Sequence, residues 1–224
     1  MNIKNIILIT IVVLSSATAK TFATKLCSHN DFECYKIQKT DSWATLFPEE
    51  STRLTVMKLN RTNTKLYRHK YIAIPKNLFW KNLHDFSPMP YNIDSQEKKV
   101  IIDINKHAFG AYNASGELVK WGPISAGRGY CPDTKSYCRT VTGVFSLYRK
   151  GSVYCKSGKY PLKTNGGAPM PYCMFFHRGF AMHGSTLPGY HASHGCIRLF
   201  HDDAKWLNQE FTTKNTVVEV SNKT

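Results

Sequence analysis

Seven cysteines constrain this 224-residue chain more than any other feature. In an oxidising compartment cysteines pair, and an odd number leaves one thiol whose freedom needs a reason. Cys27 and Cys34 lie seven apart, Cys131 and Cys138 also seven apart, and Cys155 and Cys173 eighteen apart around a Gly/Pro-rich stretch. Many connectivities are open to six cysteines, but the local spacing favours Cys27–Cys34, Cys131–Cys138 and Cys155–Cys173, each closing a short loop. Cys196 is then left over.

The N-terminus agrees with export. Lys4, an apolar run from Ile6 to Leu14 and the small-residue triplet Ala17-Thr18-Ala19 read as a cleavable signal over residues 1–19. The apolar run falls well short of the roughly 20 residues of a spanning helix. No second apolar segment follows it, so no transmembrane anchor is expected after cleavage. The expected location is the periplasm or cell envelope, or outside the cell if the protein is released further.

The formal net charge is +15, and residues 98–224 hold most of it, with 17 Lys+Arg against 7 Asp+Glu. Such a surface suits an anionic partner. The chain has no nucleic-acid motif, and export with paired cysteines argues against nucleic acid. Cell-wall carboxylates or anionic lipid surfaces fit better.

The chain divides by composition. Residues 20–34 form an N-terminal cysteine loop, 35–76 a small α/β unit, 77–97 an irregular connector with Pro88 and Pro90, and 98–220 a mainly β domain. Strands are expected at Val100–Ile104, Gly143–Tyr148, Met174–Phe176, Gly179–Met182 and Thr216–Val220, with a hairpin turn at Asn113–Gly116. One helix is expected over Asp202–Phe211, with two acids in its first turn and Ala204, Leu207 and Phe211 on one face. In the N-terminal unit Tyr35-Lys36-Ile37 reads as an opening strand, Asp41-Ser42-Trp43 as the turn into a helix cut by Pro48, and Ile72-Ala73-Ile74-Pro75 as a closing strand. With Leu59-Asn60 and Asn63, this pattern resembles a LysM carbohydrate-binding module. Thr40 stands where that family has glycine.

The stretch MHGSTLPGYHASHGCIRL, Met182–Leu199, surrounds the odd cysteine with three histidines and an arginine. Cys196 can be a disulfide partner, a metal ligand, a buried apolar residue or a nucleophile. A nucleophilic thiol needs a base in reach and a polarising environment. His183, His191 and His194 are all candidate bases, and sequence alone does not choose among them. Glycine at 195 lets the main chain approach a developing oxyanion, and Arg198 supplies a fixed charge. Zinc binding by His183, His191, His194 and Cys196 is chemically feasible, but the spacing follows no zinc pattern.

The core Ser193-His194-Gly195-Cys196-Ile197-Arg198, with His183-Gly184 upstream, resembles the signature of the YkuD-like L,D-transpeptidases, which remodel bacterial peptidoglycan. The likeness extends over most of 98–220, including Thr142-Gly143-Val144-Phe145 and Met170-Pro171-Tyr172. It implies a mainly β sandwich or barrel with one C-terminal-side helix, no metal and no cofactor. It further implies that Cys196 is the nucleophile and His183 the base, with the Gly184 main chain orienting that imidazole. His194 and Gly195 would shape the oxyanion pocket, Ser193 would brace the loop, and Arg198 would hold the motif or a substrate carboxylate. Met170, Tyr172, Tyr190 and His191 are candidates for the substrate groove. Implied partners are peptidoglycan stem peptides and glycan, with carbapenem-type β-lactams as covalent inhibitors. The alternatives are an L,D-carboxypeptidase, a D-amino-acid exchange enzyme, or a wall-binding or surface-interaction protein using the fold as scaffold. The two stapled segments, 131–138 and 155–173, are unusual for the family and suggest a lid over the groove.

Overall fold

A computed structural model of the protein describes residues 21–222. The signal expected over 1–19 lies outside the described residues. Among those described, no helix is long and apolar enough to cross a membrane. The structure pairs Cys27 with Cys34, Cys131 with Cys138 and Cys155 with Cys173, and leaves Cys196 free.

The N-terminal region contains α1 (Phe22–Leu26), β1 (Phe32–Lys36), α2 (Trp43–Leu46), α3 (Glu50–Leu59) and β2 (Tyr71–Pro75). The first strand begins earlier than the expected Tyr35, because all of β1 pairs antiparallel with β2, from Phe32↔Pro75 to Lys36↔Tyr71. Pro48 separates two helices, each with its own cap. Ser42 and Thr45 form a reciprocal capping box on α2, and the Glu49 carboxylate accepts the Ser51 and Thr52 N–H groups at the start of α3. Phe47, Val56, Leu66, Ile72 and Leu78 fill a small core between helices and strands.

The larger domain contains β3 (Lys99–Asp103), β4 (Ala108–Tyr112), β5 (Leu118–Ser125), β6 (Gly129–Cys131), β7 (Ser136–Cys138), β8 (Gly143–Ser146), β9 (Arg149–Lys150), β10 (Met174–His177), β11 (Phe180–Gly184), β12 (Ile197–Leu199), α4 (His201–Trp206) and β13 (Val217–Ser221). The expected C-terminal helix starts at His201, and its second half, Leu207–Phe211, widens to a π-helical turn. Nine strands form one curled sheet in the order β8-β13-β3-β4-β5-β12-β11-β10-β9, and β6-β7 is a separate hairpin. Both faces of the sheet are covered. Val100 and Ile102 join the main core with Met182, Ile197, Leu199 and Leu207. Ile101 faces a second core around Tyr112 and Trp121, against which the connector packs through Leu83, Phe86 and Met89. Burial on both faces accounts for the near-continuous apolar run at β3. The connector is tied down further, since Trp121 Nε1–H donates to the Leu83 carbonyl at 2.7 Å and the Tyr112 hydroxyl to that of Pro90 at 2.8 Å.

The N-terminal unit is not free-standing. Lys58 of α3 reaches into the larger domain and pairs with Asp203 of α4 at 2.7 Å, with the Asp203 side chain 0% exposed. Lys120 lies 3.7 Å from the same carboxylate oxygen. Arg61, just past α3, is buried and donates to the carbonyls of Lys58, Leu59 and Lys106. Its guanidinium stacks over Phe22 and Trp121, and burial pushes its pKa down to about 9.

Removing one member of a buried ion pair strands the other, at a cost of about 3–5 kcal/mol. Lys58→Ala should therefore lower the unfolding free energy by about 3 kcal/mol or more, while Lys58→Met with Asp203→Leu should recover most of the loss. Urea denaturation of the three proteins measures this. A loss below about 1 kcal/mol for Lys58→Ala would show that Lys120 compensates Asp203 unaided.

Candidate active site

β11 and β12 lie side by side and run parallel, with Met182 opposite Ile197 and His183 opposite Arg198. This pairing carries His183, at the end of β11, to the neighbourhood of Cys196, which immediately precedes β12. Both side chains line one cleft.

The turn bearing Cys196 is closed on itself. Ser193 Oγ accepts the Gly195 N–H at 2.9 Å and donates to the Cys196 carbonyl at 2.6 Å. Gly195 has φ +128°, and a Cβ there would come within 2.8 Å of the Phe180 ring, so this position needs glycine. From outside, Thr140 Oγ1 donates to the Gly195 carbonyl at 2.7 Å and accepts the Gly127 N–H. Arg128 holds the turn twice, through its main chain to the Ser193 carbonyl and its guanidinium to that of Ala192.

His183 is buried, and its Nδ1 lies 3.0 Å from the Gly184 carbonyl. A carbonyl only accepts, so Nδ1 carries the proton and Nε2 is left as the basic nitrogen. Burial, reinforced by Arg198 and opposed by the Gly184 carbonyl, pushes its pKa down to about 4. Burial likewise pushes the Cys196 thiol up, against the opposing effects of the Ala181 main chain and Arg198. Both shifts favour the neutral thiol and the neutral imidazole over a thiolate–imidazolium pair.

His194 also lines the cleft, held by two contacts of its own. Its Nε2 lies 2.7 Å from Asp133 Oδ2, and its ring stacks on Tyr160 with centroids 4.3 Å apart. Asp133 sits between Cys131 and Cys138, and Tyr160 between Cys155 and Cys173. Both stapled segments thus meet at the side chain two residues before the thiol. The His194 bond holds the Asp133 carboxyl below the usual carboxylate range.

The cleft has two arms meeting at Cys196. The larger, about 560 Å³, is lined by Arg149, Lys156, Lys159, Tyr160, Phe175 and Phe180 among others. The smaller, about 260 Å³, includes His183, Ser185, Ser193 and Arg198. Ser157, Tyr160 and Met170 border both, so the Cys155–Cys173 loop lies across the thiol. Of the groove candidates, Met170 lines both arms. Tyr172 instead packs on the main core with its ring edge-on to His201, and the Tyr190 side chain lines neither arm. His191 accepts the Ala126 N–H at Nδ1, donates from Nε2 to the Ile104 carbonyl and stacks on His107, so both nitrogens are engaged outside the cleft. The zinc set His183, His191, His194 and Cys196 is accordingly not brought together. Among the described residues, the one cluster of potential metal ligands is Cys131, Asp133 and His194, whose cysteine is already in a disulfide.

Sequence reading missed Asp133, Tyr160, Thr140 and the three cations of the larger arm. It placed Asn63 in the LysM-like pattern of the N-terminal unit and not at the site. Asn63 Nδ2 donates to the Ser185 carbonyl and its Oδ1 accepts the Leu187 N–H, bracing the loop directly after His183-Gly184. The cysteine spacing marked the two stapled segments, but nothing local showed that they fold onto one histidine.

A family model described as the L,D-transpeptidase catalytic domain, YkuD, matches residues 97–220. The match begins after the LysM-like segment. No curated protein matches the chain. Among solved structures, the L,D-transpeptidase from Xylanimonas cellulosilytica is 24% identical, with a TM-score of 0.54, over 68% of this chain and 73% of that one. An L,D-transpeptidase from Mycobacterium smegmatis is 24% identical with a TM-score of 0.45 over 56% and 58% of the two chains. One from Stackebrandtia nassauensis is 19% identical with a TM-score of 0.47 over 62% of each. The first of these likenesses supports a shared fold.

A thiol raised by burial beside a neutral imidazole should alkylate slowly at neutral pH. The rate constant for iodoacetamide at Cys196 should climb through the alkaline range, with its midpoint above the ordinary thiol value of about 8.5. A plateau already reached near pH 6 would instead reveal a preformed thiolate–imidazolium pair.

Proposed function

The chain belongs to the YkuD L,D-transpeptidase family, and from that membership we propose that its Cys196 is the acylated nucleophile of an exported peptidoglycan-remodelling enzyme. The observation that carries this reading is the parallel β11–β12 pair, which sets a tautomerically fixed imidazole and the one free thiol in a single cleft. His183 Nε2 takes the thiol proton as sulfur attacks the carbonyl of the third residue, diaminopimelate, of a tetrapeptide stem. The tetrahedral intermediate collapses, the histidine returns its proton to the departing amine, and D-alanine leaves. A thioester remains, to be resolved by the amine of a second stem. A D-amino acid or water as acceptor would give the exchange or carboxypeptidase outcome.

The Gly195 N–H is engaged by Ser193. In this reading the main-chain donor for the oxyanion is therefore the N–H of Cys196 itself. The Asp133 and Tyr160 contacts of His194 give that residue a positioning role between the two stapled segments. Arg198, half-buried and opposite His183 in the strand register, holds the motif electrostatically. Three disulfides support export to the periplasm or cell envelope.

With a diaminopimelate-containing disaccharide tetrapeptide, the mature protein should release D-alanine and show a transient thioester by intact mass. Cys196→Ala should abolish both, and His183→Ala should slow acylation by about 10²–10⁴-fold. With two stems present, a dimer joined through both third residues should accumulate, because a positioned amine outcompetes dilute water. A carbapenem should leave a covalent adduct on Cys196. Folded protein with no D-alanine release and no adduct would favour the scaffold reading.

A further inference from the structure

The larger arm of the cleft carries a charge imbalance that the acyl-transfer steps do not use. Arg149, Lys156 and Lys159 line it, and no aspartate or glutamate does. Among the described residues, none of the three forms an ion pair. They are also held in place. Arg149 lies on β9 with its guanidinium 4.0 Å from the centroid of Phe175, which fixes the cation against an apolar wall. Lys156 and Lys159 sit on the loop closed by Cys155–Cys173, and that loop is further pinned by a β-bridge between Lys156 and Pro169. An isolated surface cation contributes little to recognition. Cations converging on one concavity with apolar walls, here Met170, Phe175 and Phe180, produce a focused positive potential.

We propose that this arm is a carboxylate-reading subsite for the acyl donor, with Arg149, Lys156 and Lys159 as specificity-determining residues that make the enzyme prefer stems with free carboxylates over amidated ones. The proposal rests on the transpeptidase reading of Cys196. Guanidinium and ammonium groups both bind carboxylates, the former through two parallel hydrogen bonds. A neutral carboxamide keeps the shape and loses the charge. The position of the base assigns the donor to this arm. His183 lines only the smaller arm, so the acceptor amine, which must lose a proton before it attacks, approaches from that side.

The test uses the mature protein and disaccharide tetrapeptide donors whose diaminopimelate side-chain carboxylate is either free or amidated, with D-alanine release as the readout. The free-acid donor should be favoured by about tenfold in kcat/KM at low salt, mainly through KM, and the preference should shrink as added salt screens the arm. Replacing Lys156, Lys159 and Arg149 together by Gln should bring the two donors to equal kcat/KM. An unchanged, alkaline-shifted pH profile for alkylation by iodoacetamide, which is uncharged, reports separately that Cys196 is still folded into its site in that variant. Equal use of the two donors by the unaltered protein overturns the subsite. Discrimination that follows amidation of the acceptor stem, with both donors used equally, overturns the donor assignment. No D-alanine from either donor, with a thiol that keeps its slow, alkaline-shifted alkylation, overturns the transpeptidase reading and the subsite with it.

Discussion

Parallel pairing of β11 with β12 is the constraint on which the site depends. Parallel neighbours cannot be joined by a tight turn and need a crossover of a dozen or so residues, usually a helix. Here His183 and Cys196 are thirteen positions apart, and the crossover between them contains no helix. Its backbone groups must find partners elsewhere. Ser185 and Leu187 bond to Asn63, Leu187 also to Thr62, and Gly189 to Phe22. Tyr190 and Ala192 bond to Ser125, and Ser193 to Ala126. Half of the crossover is therefore held by the N-terminal unit and half by the end of β5.

That division explains why the N-terminal unit is joined to the larger domain by buried polar groups as well as by apolar contact. Lys58 and Arg61 flank the C-terminal end of α3, where the carbonyl ends of the helix favour positive charge. One meets a buried carboxylate and the other a set of carbonyls. Asp203, two residues into α4, in turn fixes the helix that follows β12. The polar joint between the two units thus acts on the strand pair from both sides, through the crossover and through α4.

The stapled segments do for the mouth of the cleft what the N-terminal unit does for its back. A two-stranded hairpin and an irregular loop are marginal structures alone, and each is closed by a disulfide. Their convergence on His194 places a carboxylate on one side of its ring and an aromatic face on the other. The loop that supplies Tyr160 also supplies Lys156 and Lys159, so the element that covers the thiol sets the charge of the larger arm.

The sequence by itself determined the local facts. Three short cysteine intervals favoured the disulfides that the structure shows, because loops of that size close easily. β-branched runs and the acid-led helix fixed the mainly β class, and the run Ser193 to Arg198 with His183-Gly184 singled out the reactive stretch. Pro48 located the break between α2 and α3. Tertiary structure decided everything that depends on which distant segments touch. It assigned His191 to structural bonds with Ala126 and Ile104 and left His183 on the cleft, although both are histidines within one stretch. It turned Asn63, Asp133 and Tyr160 into neighbours of the site, in one case across 122 residues of sequence. It also brought Arg149 beside Lys156 and Lys159 without an acid between them. The physical reason is that pairing register, burial and charge compensation are properties of the contacts between segments, and a side chain's chemistry becomes specific only once its partners are fixed.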